Sequence, residues 1–157
     1  MGNINDNNCS GGSNCVSDVV RTIANHQDDV ASQHCDVSCT QSIRDLVSPV
    51  TNNGLDTVPF ILYTKKGVPF KGYGAEVNGG RFNCIDSFIF RVSEVDDHNN
   101  CAVLELLQFE NDDNVCASVC EQIDNEQVRD LERTRICITV DLSCFCAITC
   151  LPPVSVL

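Results

Sequence analysis

CITVDLSCFCAITC, residues 137–150, contains four of the twelve cysteines in this 157-residue chain. The segment RICITVDL (135–142) alternates apolar and polar residues, which is typical of a β-strand with one buried side. The apolar members of that side are Ile136, Ile138, Val140 and Leu142. If the strand continued, Cys144 and Cys146 would lie on the same side. The stretch therefore predicts a core strand that carries thiols.

Residues 58–109 hold further strand patterns separated by turn residues. PFILYT and VPFKGYG flank a short turn at residues 65–67, and Asn78-Gly79-Gly80 is a second strong turn. SFIFRVSEV (87–95) and CAVLELLQF (101–109) flank a polar loop and predict a hairpin. Six or so short strands with turn-rich connections predict a mainly β chain, folded as an antiparallel β-sandwich or a barrel-like domain.

The two ends of the remaining chain differ from this β-rich part. Residues 1–14 contain almost nothing to bury and predict a flexible arm that carries Cys9. Apolar residues then recur at helical spacing and predict an N-terminal α-helix over 15–31, within a single domain of residues 15–157. Residues 32–57 are predicted to be irregular. The acidic segment 108–132 has no assigned role, although a short helix is possible over 126–132.

Length and charge narrow the class of protein. The length and the 43% hydrophobic content suffice for one domain with a buried core. The net charge of −12 disfavours binding to nucleic acid or to an anionic membrane. The start lacks the basic and apolar segments of a signal peptide, and no run approaches about 18 apolar residues. Synthesis in a cytosol is therefore expected, where disulfides are rare, although twelve cysteines approach the density of disulfide-bonded scaffolds.

Motifs of enzymes and nucleotide-binding proteins are absent or incomplete. Gly67 and Gly72 have the spacing of a P-loop, but Tyr73 and Gly74 stand where that motif needs Lys and Ser or Thr. No Gly-x-Ser-x-Gly occurs, and no histidine has a clear partner for acid–base catalysis. The three histidines are His26, His34 and His98. No catalytic residue, no cofactor and no enzymatic activity are predicted.

The cysteine spacing carries more information. No C-x-x-C occurs, which removes the thioredoxin-type redox motif and the usual zinc knuckle, whereas C-x-x-x-C occurs three times. Residues two apart on a straight strand lie about 6.5–7 Å apart between Cα atoms, which is too far for a comfortable disulfide. Cys144 and Cys146 should therefore each pair with another strand, loop or molecule. Free thiols buried as small hydrophobes, and a zinc site of four thiolates, remain alternatives, and no metal ligand is assigned.

Cys9 and Cys15 differ from the other cysteines in their surroundings. A thiol on or beside a flexible arm can reach a neighbouring molecule, so these two are favoured for intermolecular bonds. All twelve cysteines are candidates for disulfides or cross-links: Cys9, Cys15, Cys35, Cys39, Cys84, Cys101, Cys116, Cys120, Cys137, Cys144, Cys146 and Cys150.

Four stretches together resemble one protein family. VPFILYTKKGVPF, SFIFRVSEVDD, CAVLELL and CITVDLSCFCAITCL are similar to the cysteine-rich spore-surface family of CotY, CotZ and ExsY from endospore-forming bacilli. The resemblance covers residues 58–109 and 133–157, whereas the acidic segment 108–132 matches little of it. Family cysteines match at Cys101, Cys137, Cys144, Cys146 and Cys150.

The resemblance implies a structural protein of the outer spore coat or exosporium. Such proteins self-assemble into ordered sheets, often of hexamers, that become cross-linked by disulfides. Their partners are other copies of the same chain and other spore-surface proteins, and no catalytic residue comes with the family. Synthesis in the mother-cell cytoplasm, followed by oxidation when that cell lyses, would reconcile disulfides with the lack of a signal peptide. The rival hypotheses are a cysteine-rich zinc-binding module and, third, a thiol enzyme with an acidic, accessible thiol.

Overall fold

A computed structural model describes residues 15–30, 35–48, 54–110 and 117–157 of the chain. The helices are α1 (Cys15–Val30), α2 (Cys39–Val47) and α3 (Val119–Ile123). The strands are β1 (Phe60–Thr64), β2 (Gly72–Asn78), β3 (Arg81–Ser87), β4 (Phe90–Val95), β5 (Cys101–Phe109), β6 (Leu131–Asp141) and β7 (Phe145–Cys150). Strands dominate and all their ladders are antiparallel, so the prediction of a mainly β fold with an N-terminal helix is confirmed.

The described residues fall into two compact units. One contains α1, whose bounds agree with the helix predicted over residues 15–31. The other comprises residues 36–157 and contains every strand. The predicted arm, residues 1–14, lies outside the described residues, so the division into an arm and one domain stays a prediction. None of the helices in the described ranges is both long enough and apolar enough to cross a membrane.

The helix α2 corrects the prediction that residues 32–57 are irregular. Ser38 begins this helix as its N-cap, because its hydroxyl accepts a hydrogen bond from the backbone N–H of Gln41 at 3.0 Å. The helix has only nine residues, so its apolar period barely repeats and gives a weak signal. Tertiary contacts support it, since the Ser42 hydroxyl donates to the Leu151 carbonyl at 2.9 Å.

Five strands form one curled sheet in the order β6-β5-β4-β1-β7. The hairpin predicted from residues 87–95 and 101–109 is present as β4 and β5, which pair from Phe90↔Leu106 to Val95↔Ala102. β6 and β7 are the two edge strands, yet only residues 142–144 connect them. The edges therefore meet at that end of the sheet, but no ladder joins them, so the sheet does not close into a barrel.

A separate two-stranded sheet contains β2 and β3. Asn78 pairs with Arg81, and Gly79 and Gly80 between them have positive φ angles of 58° and 74°, so the predicted turn is confirmed. The turn predicted at residues 65–67 is also present, since the Phe70 N–H donates to the Leu62 carbonyl at 2.7 Å. The strand after it does not stay with β1, however. β2 begins at Gly72 and pairs with β3, a strand that the sequence pattern does not predict.

The larger core cluster lies between the five-stranded sheet and this hairpin. Its buried members include Phe60, Leu62, Phe90, Ala102, Leu104, Leu106, Val140 and Cys150. Two glycines of β2 permit the close approach of the hairpin. A Cβ on Gly72 would lie 2.8 Å from Cε1 of Phe90, and a Cβ on Gly74 would overlap Cγ2 of Ile136. A second cluster packs elsewhere in the same unit and consists of Ile89, Leu107, Phe109, Leu131 and Val154.

A buried carboxylate ties three strands of the large sheet together. Glu105 of β5 is 1% exposed and binds Arg91 of β4 at 2.9 Å and Arg133 of β6 at 2.9 Å. Its Oε1 also accepts the backbone N–H of Arg135 at 3.0 Å. Burial raises the pKa of Glu105, but the hydrogen bonds from Arg133 and Arg91, the positive charge of Arg133 and the backbone N–H of Arg135 outweigh it. The pKa therefore lies below its ordinary value.

Candidate cross-linking surface

One disulfide lies inside the β-rich unit and closes a long loop. It joins Cys39, the first residue of α2, to Cys150, the last residue of β7. The two residues are 111 positions apart in the sequence and 4.7 Å apart between Cα atoms. Cys150 is 6% exposed and belongs to the larger core cluster, against which Cys39 also packs. This bond therefore serves the fold of a single chain.

The disulfide joins cysteines from two different C-x-x-x-C motifs. Cys39 comes from the first C-x-x-x-C and Cys150 from the last, whereas Cys35 and Cys146 of the same motifs are free. The middle motif has Cys120 free in α3, and Cys116 lies outside the described residues. Spacing along the chain could not reveal this bond, because its two ends meet only when α2 docks on β7.

The described part of the chain contains seven free cysteines. Six are exposed and one is of intermediate exposure, so the alternative of free thiols buried as small hydrophobes is wrong for those six. The exposed ones are Cys35, Cys84, Cys120, Cys137, Cys144 and Cys146, and the intermediate one is Cys101. They are distributed over β3, β5, α3, β6, β7 and the connections between elements. Cys9 and the side chain of Cys15 lie outside the described residues, so the prediction that these two are intermolecular stays open.

The stretch 137–150 is less buried than its apolar pattern predicts. Ile138 and Val140 do face the larger core cluster, but Cys137 points to the other side of this edge strand and is exposed. The strand also ends at Asp141, whose carboxylate accepts the backbone N–H of Ser143 at 2.9 Å and so caps a 3₁₀ turn, Leu142–Cys144.

That turn breaks the alternation on which the predicted placement of Cys144 and Cys146 depends. Leu142 lies in the turn and is 36% exposed, so it does not extend the buried side of β6. Cys144 ends the turn, and Cys146 lies on β7 at the opposite edge of the sheet. The Cys146 thiol donates to the Thr64 carbonyl of β1 at 2.9 Å. The two cysteines are not bonded to each other, and both thiols are exposed.

The described residues contain no group of three or more His, Cys, Asp or Glu side chains arranged to hold a metal ion. His26 of α1 and His98 of the loop between β4 and β5 are both exposed. His34 lies outside the described residues. The chemistry that this surface offers is therefore that of separate, accessible thiols.

Two comparisons with known proteins relate this chain to one family. The family model described as spore coat protein Z matches residues 4–153. The match spans the acidic segment 108–132, which the four stretches singled out in the sequence do not include. A protein of Bacillus subtilis (strain 168) named spore coat protein Z is 35% identical over 153 residues, which covers 90% of each chain. No solved structure matches the chain. The extent of both matches shows that the chain belongs to the spore coat protein Z family.

Proposed function

We propose that this chain is a structural protein of the spore surface, in the outer coat or exosporium, which assembles with copies of itself into ordered arrays cross-linked by disulfides. The observation that carries the proposal is the separation of the cysteines into two classes. One bonded pair holds α2 to β7, while six thiols are exposed on several elements of the described chain. Membership of the spore coat protein Z family supports the location.

Exposed thiols suit bonds between molecules. A free cysteine is among the residues most often buried in proteins, so six exposed ones in the described part of one short chain need an explanation. Each of them can bond a thiol of a neighbour without disturbing the core. A subunit held at several points cannot leave when one contact opens, so cross-links give the assembled layer kinetic resistance to dissociation.

The proposed partners are other copies of the chain, in rings such as hexamers that extend into sheets, and other spore-surface proteins. Symmetric rings repeat the same interface, which lets one set of thiols serve every neighbour. The thiols stay reduced during synthesis in the mother-cell cytoplasm and become oxidised after release from it. No nucleic acid, membrane, cofactor or substrate takes part, and the chain acts as a building unit without enzymatic activity.

The first test uses purified, reduced protein exposed to air. We expect non-reducing gels to show a ladder of covalent oligomers that reductant collapses to monomer, and electron microscopy to show ordered sheets. A chain that stays monomeric after oxidation, with its exposed thiols still open to alkylation, would contradict the proposal.

A pair of variants separates folding from cross-linking. Replacing Cys39 and Cys150 by Ser should lower the free energy of unfolding by about 2–4 kcal/mol, because the variant no longer has the disulfide that closes a long loop. The ladder of covalent oligomers should remain. Replacing the six exposed cysteines by Ser should change stability little and shorten the ladder. Adding Cys9→Ser and Cys15→Ser to the second variant then measures how much these two cysteines contribute to the intermolecular disulfides that remain.

A further inference from the structure

The β2–β3 hairpin has an unusual distribution of residues between its two faces. Gly72 and Gly74 identify its inner face, because a Cβ on Gly72 would meet Phe90 of the larger core cluster and a Cβ on Gly74 would meet Ile136, which packs against that cluster. Alternation along the strands then places Tyr73, Ala75 and Val77 on the opposite face. Their cross-strand partners Asp86, Cys84 and Phe82 lie on that face too. We call Tyr73, Ala75, Val77, Phe82 and Cys84 the outer face.

The outer face is apolar although nothing in the described residues of the β-rich unit covers it. Phe82 is 82% exposed, Val77 is 68% exposed and Tyr73 is 61% exposed. The side of a hairpin that faces solvent normally carries polar residues. Here the polar residues near the tip, Glu76, Asn83 and Arg81, lie instead on the same side as Gly72 and Gly74. An apolar patch of this kind marks a surface that another molecule covers.

A free thiol lies within this patch. Cys84 pairs with Ala75 across the ladder, and its neighbours along the strand on this face are the exposed Phe82 and, toward the base, Asp86. At the base of the face, Asp86 forms an ion pair with Lys71, whose ammonium lies 5.6 Å from the Tyr73 ring centroid. The charges at this end are therefore engaged with each other, and the five residues of the outer face carry none.

We infer that the outer face of the hairpin docks on the outer face of a second copy of this chain, with the two Cys84 thiols meeting near the two-fold axis. This inference rests on the proposed self-assembly and assigns it a specific contact. Two copies that each carry a charge of −12 repel each other, so an uncharged apolar face is where they can approach most closely. In a two-fold contact, a residue near the axis meets its own counterpart.

The size of the face indicates how strong a contact between two copies would be. Tyr73, Val77 and Phe82 together expose roughly 400 Å² if a fully exposed aromatic side chain offers about 200 Å² and Val somewhat less. Two such faces bury roughly 800 Å², which is below the roughly 1,200 Å² of a specific, stable complex. The non-covalent contact is therefore transient by itself, and a covalent bond at its centre makes it persist.

The bond forms by oxidation of two thiols. Each Cys84 gives up one proton and one electron to dioxygen, one S–S bond forms between the copies, and the dioxygen is reduced to hydrogen peroxide. Docking raises the effective concentration of one thiol near the other toward the millimolar range, which speeds this step relative to thiols that meet only by diffusion.

Two matched variants test the inference. The first retains Cys39, Cys84 and Cys150 with every other cysteine replaced by Ser, and the second retains Cys137 in place of Cys84. Both retained thiols are exposed on strands, and both variants keep the internal disulfide. In air at micromolar concentration, we expect the Cys84 variant to form covalent dimers at least about tenfold faster. Phe82→Glu in the Cys84 variant should reduce its rate to that of the Cys137 variant, because two added carboxylates would face each other.

The outcomes separate this inference from the proposed function. Equal dimerisation rates for Cys84 and Cys137, or a rate unchanged by Phe82→Glu, would overturn the inference even if the wild-type chain still forms ladders and sheets. A large loss of thermal stability in Phe82→Glu with unchanged dimerisation would assign the outer face to its own chain and also overturn it. A wild-type chain that never oligomerises would instead remove the proposed function. Circular dichroism and intact mass confirm that each variant is folded with its internal disulfide.

Discussion

The β2–β3 and β4–β5 hairpins use similar residues in opposite ways. Phe90 of β4 is 0% exposed and stacks on Phe70 at 5.7 Å between ring centroids, whereas Phe82 of β3 is 82% exposed. β5 has neighbouring strands on both sides, but β2 and β3 pair only with each other. The alternating pattern of the strands creates an apolar face in both hairpins. Whether that face becomes core or contact surface depends on how many other elements cover it.

The largest expected effect comes from the same substitution made in each hairpin. Phe90→Ala should lower the free energy of unfolding by about 3–5 kcal/mol, because it removes a fully buried ring and leaves a cavity. Phe82→Ala should change it by no more than about 0.5 kcal/mol under conditions where the chain is monomeric. Urea unfolding of both variants measures the contrast, and comparable losses would show that the outer face is part of the monomer core.

A smaller effect is expected where the β2–β3 hairpin packs against β6. Gly74→Ala should cost about 1–3 kcal/mol, because the new Cβ overlaps Cγ2 of Ile136, a branched side chain with little freedom to move. Ile136→Ala removes that methyl group, so the double variant should be more stable than the sum of the two single effects predicts. Strict additivity in this cycle would mean that the hairpin does not rest on Ile136.

The smallest effect concerns pH and compares Glu105 of β5 with the exposed Glu76 of β2. The pKa of Glu105 is lowered in the folded state, so its contribution to stability is fully present above the ordinary value of 4.5 and is lost as pH falls through the folded pKa. In the Glu105→Gln variant, the free energy of unfolding should therefore fall less steeply as the pH is lowered below 4.5. The slope should decrease by at most about 1.4 kcal/mol per pH unit. Glu76→Gln should leave the slope as in the wild-type chain. Parallel profiles for both variants would contradict the role of the Arg91 and Arg133 contacts.

Local patterns predicted much of the fold. Alternation identified β4, β5 and the second half of β6, and glycines marked the β2–β3 turn, because these signals depend on neighbouring residues alone. The sequence pattern did not predict the short helix α2 or the strand β3. α2 shows little more than one apolar repeat, and β3 exposes residues on its outer face that a solvated strand would not have.

The cysteines show most clearly what local sequence patterns cannot predict. The sequence determined that the chain is β-rich, acidic and supplied with more thiols than its fold uses. The folded arrangement of the chain decided which of them pair, because Cys39 and Cys150 are 111 residues apart and meet only after α2 docks against β7. It likewise decided that Cys137, Cys144 and Cys146 lie at the surface, because a capped turn after Asp141 ends the alternation that would have buried two of them. Burial depends on which elements lie against a strand, and no local pattern encodes that.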